Sequence, residues 1–162
     1  MNSRTLLIGI LALTLGAVNA QELAPNAPTD KPVSATAATA SELEKAIAPH
    51  MAEARKTYPN ARKRFLAGLP EKHHFFVTTR IKDPDGKFEQ VFIYVASIDD
   101  AKKTVTGRIS NQLRVVRTFK SNQTISFPEA EVLDWMVARP DGTEEGNYIG
   151  KFIDEYQKKK KG

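Results

Sequence analysis

The chain has 162 residues, a formal net charge of +5 and no cysteine. This length corresponds to one domain. The lack of cysteine excludes disulfide scaffolds, thiolate metal sites and cysteine nucleophiles. The lysines at 158–161 supply most of the net charge, so the basic composition does not indicate a broad basic binding face.

The first 20 residues predict a secretory signal peptide. Arg4 precedes an apolar run from Leu6 to about Leu15, and the small residues Val18 and Ala20 stand where a cleavage site before Gln21 requires them. The apolar run is shorter than the roughly 20 residues that cross a hydrocarbon core. We therefore expect cleavage and export to the periplasm or medium, with no stable membrane insertion.

Residues 21–40 predict a disordered linker, and residues 41–157 predict a single domain. The linker is rich in Ala, Pro and Thr and lacks aromatic residues, so it cannot bury enough apolar surface to offset its ordering entropy. Ser41 and Glu44 match a Ser-x-x-Glu capping box, which predicts a helix start. Pro49 and Pro59 are expected to divide the helical region into two or three pieces ending at Ala67.

After Pro70 the pattern becomes that of β-strands. Two runs rich in aromatic and β-branched residues flank the turn signal Asp-Pro-Asp-Gly at residues 83–86, which predicts a hairpin. Further strands are expected at residues 104–110, 123–127 and 131–139, with an irregular connection from Asn111 to Asn122. Five strands between helical ends predict an α+β fold with a small, mostly antiparallel sheet or open barrel.

The last segment predicts an amphipathic helix followed by a basic tail, residues 158–162. Ile149, Phe152, Ile153 and Tyr156 recur at helical spacing. Lysines in a last turn suit the helix dipole. The tail is interpreted as a solvated helix end, and contact with a polyanion or membrane is the alternative.

Several segments occur in an order that resembles a known family. They include MAEARKTYPNARKRFLAGL from Met51, FFVTTRIKD from Phe75, GRISNQ from Gly107 and VLDWM from Val132. This order is similar to that of an uncharacterised bacterial family, domain of unknown function 2314, over about residues 51–153. A tryptophan common in the family is absent near Phe92, and Asn-Gln at 122–123 replaces a Gly-Asp. The resemblance implies a fold, but no reaction, cofactor or catalytic residue.

Most catalytic and metal-binding patterns are missing from the sequence. His73 and His74 are adjacent, so a strand would point them to opposite faces. Asp83 and Asp85 lack the remaining ligands of a calcium loop and are interpreted as turn residues. We predict no metal and no cofactor. Basic residues at 55–64 could contact phosphates, but export argues against a nucleic-acid partner.

Carboxylates are the remaining candidates for acid–base chemistry. Glu89 shares a strand face with apolar residues, so it is either a charge at the strand end or a half-buried acid, whose natural partner would be Arg80 or Arg108 on a neighbouring strand. The pair Glu144-Glu145 lies in a loop bracketed by glycines and is expected to be solvated.

The pair Asp134-Trp135 divides between two faces if it lies in a strand. Trp135 is then expected in the core, and Asp134 should cap a turn, pair with an arginine or line a groove. The candidate binding residues are Asp134, Trp135, Glu89, Arg108 and Asn111, and no catalytic residue is assigned.

Two functions are compatible with this pattern. The first is a non-enzymatic binding or inhibitor-like module of the bacterial envelope, whose partner is an envelope protein or polymer. The alternative is a small periplasmic hydrolase that uses Glu89 and Asp134 as paired carboxylates.

Overall fold

The computed structural model describes residue 24, residues 26–28 and residues 37–161. The predicted signal peptide, residues 1–20, lies outside the described residues, and so does most of the predicted linker. In the part of the chain that is described, no helix is both long and apolar enough to cross a membrane.

The described residues form a six-stranded sheet and two helices, which confirms the predicted α+β class. The helices are α1 (Ala37–Ala67) and α2 (Tyr148–Lys161). The strands are β1 (His74–Lys82), β2 (Phe88–Asp99), β3 (Thr104–Ile109), β4 (Thr124–Pro128), β5 (Asp134–Ala138) and β6 (Glu144–Gly146). A short 3-10 helix, Glu129–Glu131, joins β4 to β5.

The sheet is open and antiparallel throughout, with the strand order β4-β3-β2-β1-β5-β6. The predicted hairpin forms its centre, where Phe76 pairs with Tyr94 and Ile81 with Glu89. Strand β6 brings the strand number to six instead of five. It has only three residues, and the sequence Glu-Glu-Gly gives no alternation from which a strand could be predicted.

Helix α1 differs from its prediction, because it is continuous and begins at Ala37 instead of Ser41. Pro49 and Pro59 both lie inside it. A proline inside a helix costs about 3 kcal/mol, so packing of the helix must offset that cost. Ala54 and Ala61 are almost completely buried in the main core, and these small side chains allow α1 to lie close to the sheet.

The helix-covered side of the sheet is its inner face. Side chains that alternate along the strands meet α1 there and build the main core, which includes Phe75, Val77, Ile93, Ile109 and Trp135. Helix α2 packs beside α1, where Phe152 stacks on His50 with ring centroids 4.5 Å apart. Buried and more exposed positions alternate along β3 and the middle of β2, whereas β1 and β5 are buried on both faces.

The opposite side carries a second, smaller apolar cluster. We define the outer face as the side chains of His74, Phe76, Phe92, Tyr94, Arg108, Met136 and Ala138, which the strand register places on this side. Ala24 is buried against Phe76, Met136 and Ala138. The composition of residues 21–40 did not predict this contact.

Candidate functional site

Glu89 binds a backbone segment instead of the arginine that the sequence suggested. One carboxylate oxygen accepts a hydrogen bond from the N–H of Arg114 at 2.9 Å, and the other accepts from Val115 and Val116, both at 3.0 Å. Arg80 pairs with Glu44 at 3.1 Å. Glu89 is therefore an anchor for the connection between β3 and β4.

Asp83 continues the same arrangement from the end of β1. It accepts hydrogen bonds from the N–H of Arg117 at 2.7 Å and of Thr118 at 3.0 Å, and from the Thr118 hydroxyl at 2.5 Å. The hydroxyl, followed by the backbone donors, lowers the pKa of the Asp83 carboxyl. Five consecutive N–H groups, residues 114–118, are thus held by two carboxylates. Asp83 is more than the turn residue that the sequence indicated.

Asp134 caps a helix from a distant strand. Its Oδ2 accepts the N–H of Ile149 in the first turn of α2 at 2.7 Å, and its Oδ1 accepts the N–H of Trp135 at 2.7 Å. Burial raises the pKa of this carboxyl to about 6, although both N–H groups, and then Lys151, act to lower it. Of the three roles expected for Asp134, capping describes it best.

Trp135 lies in the core, as predicted, with 4% of its surface exposed. Its indole Nε1 donates to the Thr57 hydroxyl on α1 at 3.0 Å, and its ring meets Tyr148 edge-on. The residue therefore fastens β5 to both helices. It offers little surface to a ligand.

A cleft of about 220 Å³ lies between α1 and the segment that leads into β5. Its lining includes Ala54, Arg55, Tyr58, Glu129, Val132, Asp134 and Trp135. Glu129 accepts from the Tyr58 hydroxyl at 2.9 Å and from Arg62 Nε at 2.6 Å, and Arg62 also pairs with Asp100. Burial, followed by Glu129, raises the pKa of the Tyr58 phenol. Tyr58, Arg62 and Glu129 are therefore already paired with one another.

The proposed catalytic pair is not brought together. Glu89 pairs with Ile81 on the inner face, whereas Asp134 pairs with Thr78 on the opposite side, two strands away. Glycosidase-type catalysis needs both carboxylates to flank one bond. The arrangement of Glu89 and Asp134 does not provide that.

Glu144 and Glu145 are held by neighbours, in contrast to the solvated loop that was expected. Glu145 binds Arg64 at 2.7 Å and Arg139 at 3.3 Å, and Arg64 lowers its pKa most. Glu144 accepts a hydrogen bond from Asn147 at 2.9 Å. Across the described residues, no group of three or more His, Asp or Glu side chains is placed to hold a metal ion.

Two residues of the segment Gly-Arg-Ile-Ser-Asn-Gln, which begins at Gly107, have clear structural roles: Gly107 in β3 and Asn111 just after it. The Asn111 carboxamide oxygen accepts from the N–H of Phe92 at 2.6 Å, so this side chain continues the sheet where β3 ends. At Gly107, any Cβ would lie 2.3 Å from the carbonyl oxygen of Tyr94. Glycine is therefore required for the close approach of β2 and β3.

Tyr94 is the centre of the outer face. Its hydroxyl lies 3.0 Å from His74 Nδ1, and its ring lies 5.3 Å from that of Phe76. The guanidinium of Arg108 is 5.5 Å from the Tyr94 ring centroid, within cation–π range. Of the five candidate binding residues, Arg108 and Asp134 lie on this side of the sheet, and Asp134 is buried, so only Arg108 contributes to the aromatic cluster.

Sequence reasoning missed Tyr94, His74 and Phe76 as a group. The available signal was the cross-strand register: pairing across the Asp-Pro-Asp-Gly turn places Tyr94 opposite Phe76, on the side away from Val77 and Ile93. The outer face combines aromatic, cationic and apolar groups on a rigid sheet, a composition typical of protein-binding surfaces.

The comparisons agree with the resemblance seen in the sequence. The model of a family described as an uncharacterised protein conserved in bacteria, domain of unknown function 2314, matches residues 43–161. No curated protein and no solved structure matches the chain significantly. The matched residues include all six strands, α2 and most of α1. The chain therefore belongs to this family of uncharacterised bacterial proteins.

Proposed function

We propose that this protein is an exported, non-enzymatic binding module of the bacterial envelope, and that it recognises a protein partner through the outer face. The support for export is the signal-peptide pattern of residues 1–20. The support for binding is the aromatic and cationic cluster around Tyr94, which lies on the side of the sheet away from both helices.

The chemistry of the outer face suits a polypeptide ligand. Aromatic residues and arginine are enriched where proteins bind one another, because they bury much area and also form polar contacts. Phe92 and Tyr94 are half-buried, so part of each ring remains accessible. Among the described residues, Arg108 has no ion-pair partner, and its charge is available to an acidic group.

The test is capture of a partner from a periplasmic extract with the tagged protein. Tyr94→Ala should reduce recovery at least tenfold if the outer face carries the contact. Leu66→Ala is the control, because Leu66 is an exposed, large apolar residue on α1, and this helix packs against the inner face of the sheet. Equal recovery with both variants, or no partner with the wild-type protein, would refute the proposal.

Trp135 is unsuitable as a probe of binding. Truncating a buried tryptophan to alanine costs about 3–5 kcal/mol, so loss of binding in that variant would report unfolding. Thermal unfolding of the Tyr94→Ala protein provides the necessary check, since a half-buried ring at the sheet surface is less costly to remove than a core residue.

A further inference from the structure

The outer face already holds a peptide. Ala24 has 4% of its surface exposed and packs in one cluster with Phe76, Met136 and Ala138. Ala27, Phe92 and Tyr94 are partly buried and pack against the same cluster. A short segment near the start of the chain thus lies on the side of the sheet that the helices leave uncovered.

This segment has the local chemistry of a tight turn. The N–H of Ala27 donates to the carbonyl of Ala24 at 3.0 Å, and Asn26 has a φ of 55°. Asparagine suits such a turn, because it tolerates positive φ. The turn therefore places two small side chains on the sheet at little conformational cost.

The contact covers only part of the outer face. Two alanine side chains bury little apolar area, so covalent attachment to the domain must contribute much of the occupancy through effective concentration. Phe92 and Tyr94, which pack against the same cluster, are only half-buried, and Arg108 has no ion-pair partner among the described residues. An intramolecular ligand of this kind can be displaced by a longer one that uses the whole face.

We propose that the outer face binds an Ala- and Pro-containing turn of another polypeptide, with an acidic residue nearby to meet Arg108, and that residues 24–28 compete for this site in cis. The inference rests on the proposed function and specifies which residue types the partner presents to the outer face. The chain's own sequence has this character, since Glu22 precedes the Ala-Pro-Asn-Ala turn and Asp30 follows it.

The test uses the full chain and a fluorescein-labelled peptide with the sequence of residues 21–31, measured by fluorescence polarisation. Ala24→Asp forces a charge into the apolar cluster and should release the segment. Asn26→Asp is the matched control, because it adds the same charge at an exposed position of the same turn. If the segment occupies the face about nine-tenths of the time, the Ala24→Asp protein should bind the peptide about tenfold more tightly than wild type.

Release of the segment is measured separately through the ε-methyl NMR signal of Met136, one of three methionines in the chain. The signal should shift in Ala24→Asp and stay unchanged in Asn26→Asp. Adding Tyr94→Ala to the Ala24→Asp protein should abolish peptide binding. Together these results would establish both the site and its competition in cis.

Three outcomes would overturn the inference. If the Met136 signal shifts in Ala24→Asp but the peptide does not bind, the outer face does not bind an Ala- and Pro-containing turn. The proposed function would then still stand if a partner is captured through Tyr94. If neither signal nor affinity differs between the two variants, the segment does not occupy the face. If the wild-type protein forms a dimer that the peptide dissociates, the occupant is the segment of a second copy.

Discussion

Replacing Asp134 by asparagine tests how burial and hydrogen bonding balance in this fold. The side chain is 2% exposed, and its two oxygens accept the N–H groups of Trp135 and Ile149. Burial disfavours the charged carboxylate, whereas the two donors and Lys151 favour it. Burial is the larger effect, and it raises the pKa of Asp134 from 3.8 to about 6.

The sign of the resulting pH dependence follows from this shift. Because the folded-state pKa lies above that of the unfolded chain, the contribution of Asp134 to stability is complete below pH 3.8 and is lost as the pH rises through about 6. The difference between the two pKa values corresponds to about 3 kcal/mol. Asp134→Asn has no proton to lose in this range, so it should not lose this contribution.

The assay is urea unfolding of both proteins from about pH 4 to about pH 7.5. Carboxylates with a lowered pKa, such as Asp83 and Glu145, titrate in both proteins and cancel in the difference. The free energy of unfolding of Asp134→Asn relative to wild type should rise by about 2.5 kcal/mol across this range, because about 0.5 kcal/mol of the effect is already present at pH 4. Parallel curves, or a change of opposite sign, would mean that the backbone donors outweigh burial, and the reasoning would be refuted.

Three further predictions concern stability. Glu89→Gln should lower the free energy of unfolding by about 2 kcal/mol, because an NH₂ group then faces backbone donors, and hydrogen exchange should accelerate at residues 114–116; unchanged exchange there would contradict the anchoring role. Gly107→Ala should cost about 1–3 kcal/mol, measured by thermal unfolding, because its Cβ would meet backbone of β2. Trp135→Phe and Thr57→Val should be less than additive in a double-mutant cycle, since each removes the same hydrogen bond; additive costs would show that the bond contributes nothing.

The parts of the fold that sequence predicted are those with a local signal. The central hairpin follows from alternating apolar residues around a strong turn, and α2 follows from residues at helical spacing. Strand β6 is too short for alternation to appear. Helix α1 is continuous because packing around the buried Ala54 and Ala61 offsets the cost of its two prolines. The sequence shows the prolines but does not show this burial.

The site was less predictable because its contacts are distant in sequence. Glu89 was expected to find an arginine, yet it binds N–H groups 25 to 27 residues away. Every residue except proline has the same backbone N–H, so no sequence pattern could identify residues 114–116 as the donors. The contact of Ala24 with the sheet was not predicted for a related reason. The composition of residues 21–40 describes the average of the segment, whereas the contact depends on one turn that fits one surface.

The two-carboxylate anchor has a consequence for how freely the surface can vary. Glu89 and Asp83 accept hydrogen bonds from the main chain of residues 114–118. The Thr118 hydroxyl is the one side-chain group of this segment that is described as donating to them. The exposed residues Arg114, Val115 and Arg117 can then be exchanged for almost any amino acid except proline, which lacks the N–H. The hydrogen bonds to Glu89 and Asp83 thus hold the main chain of residues 114–118 in a way that leaves the choice of exposed side chains free.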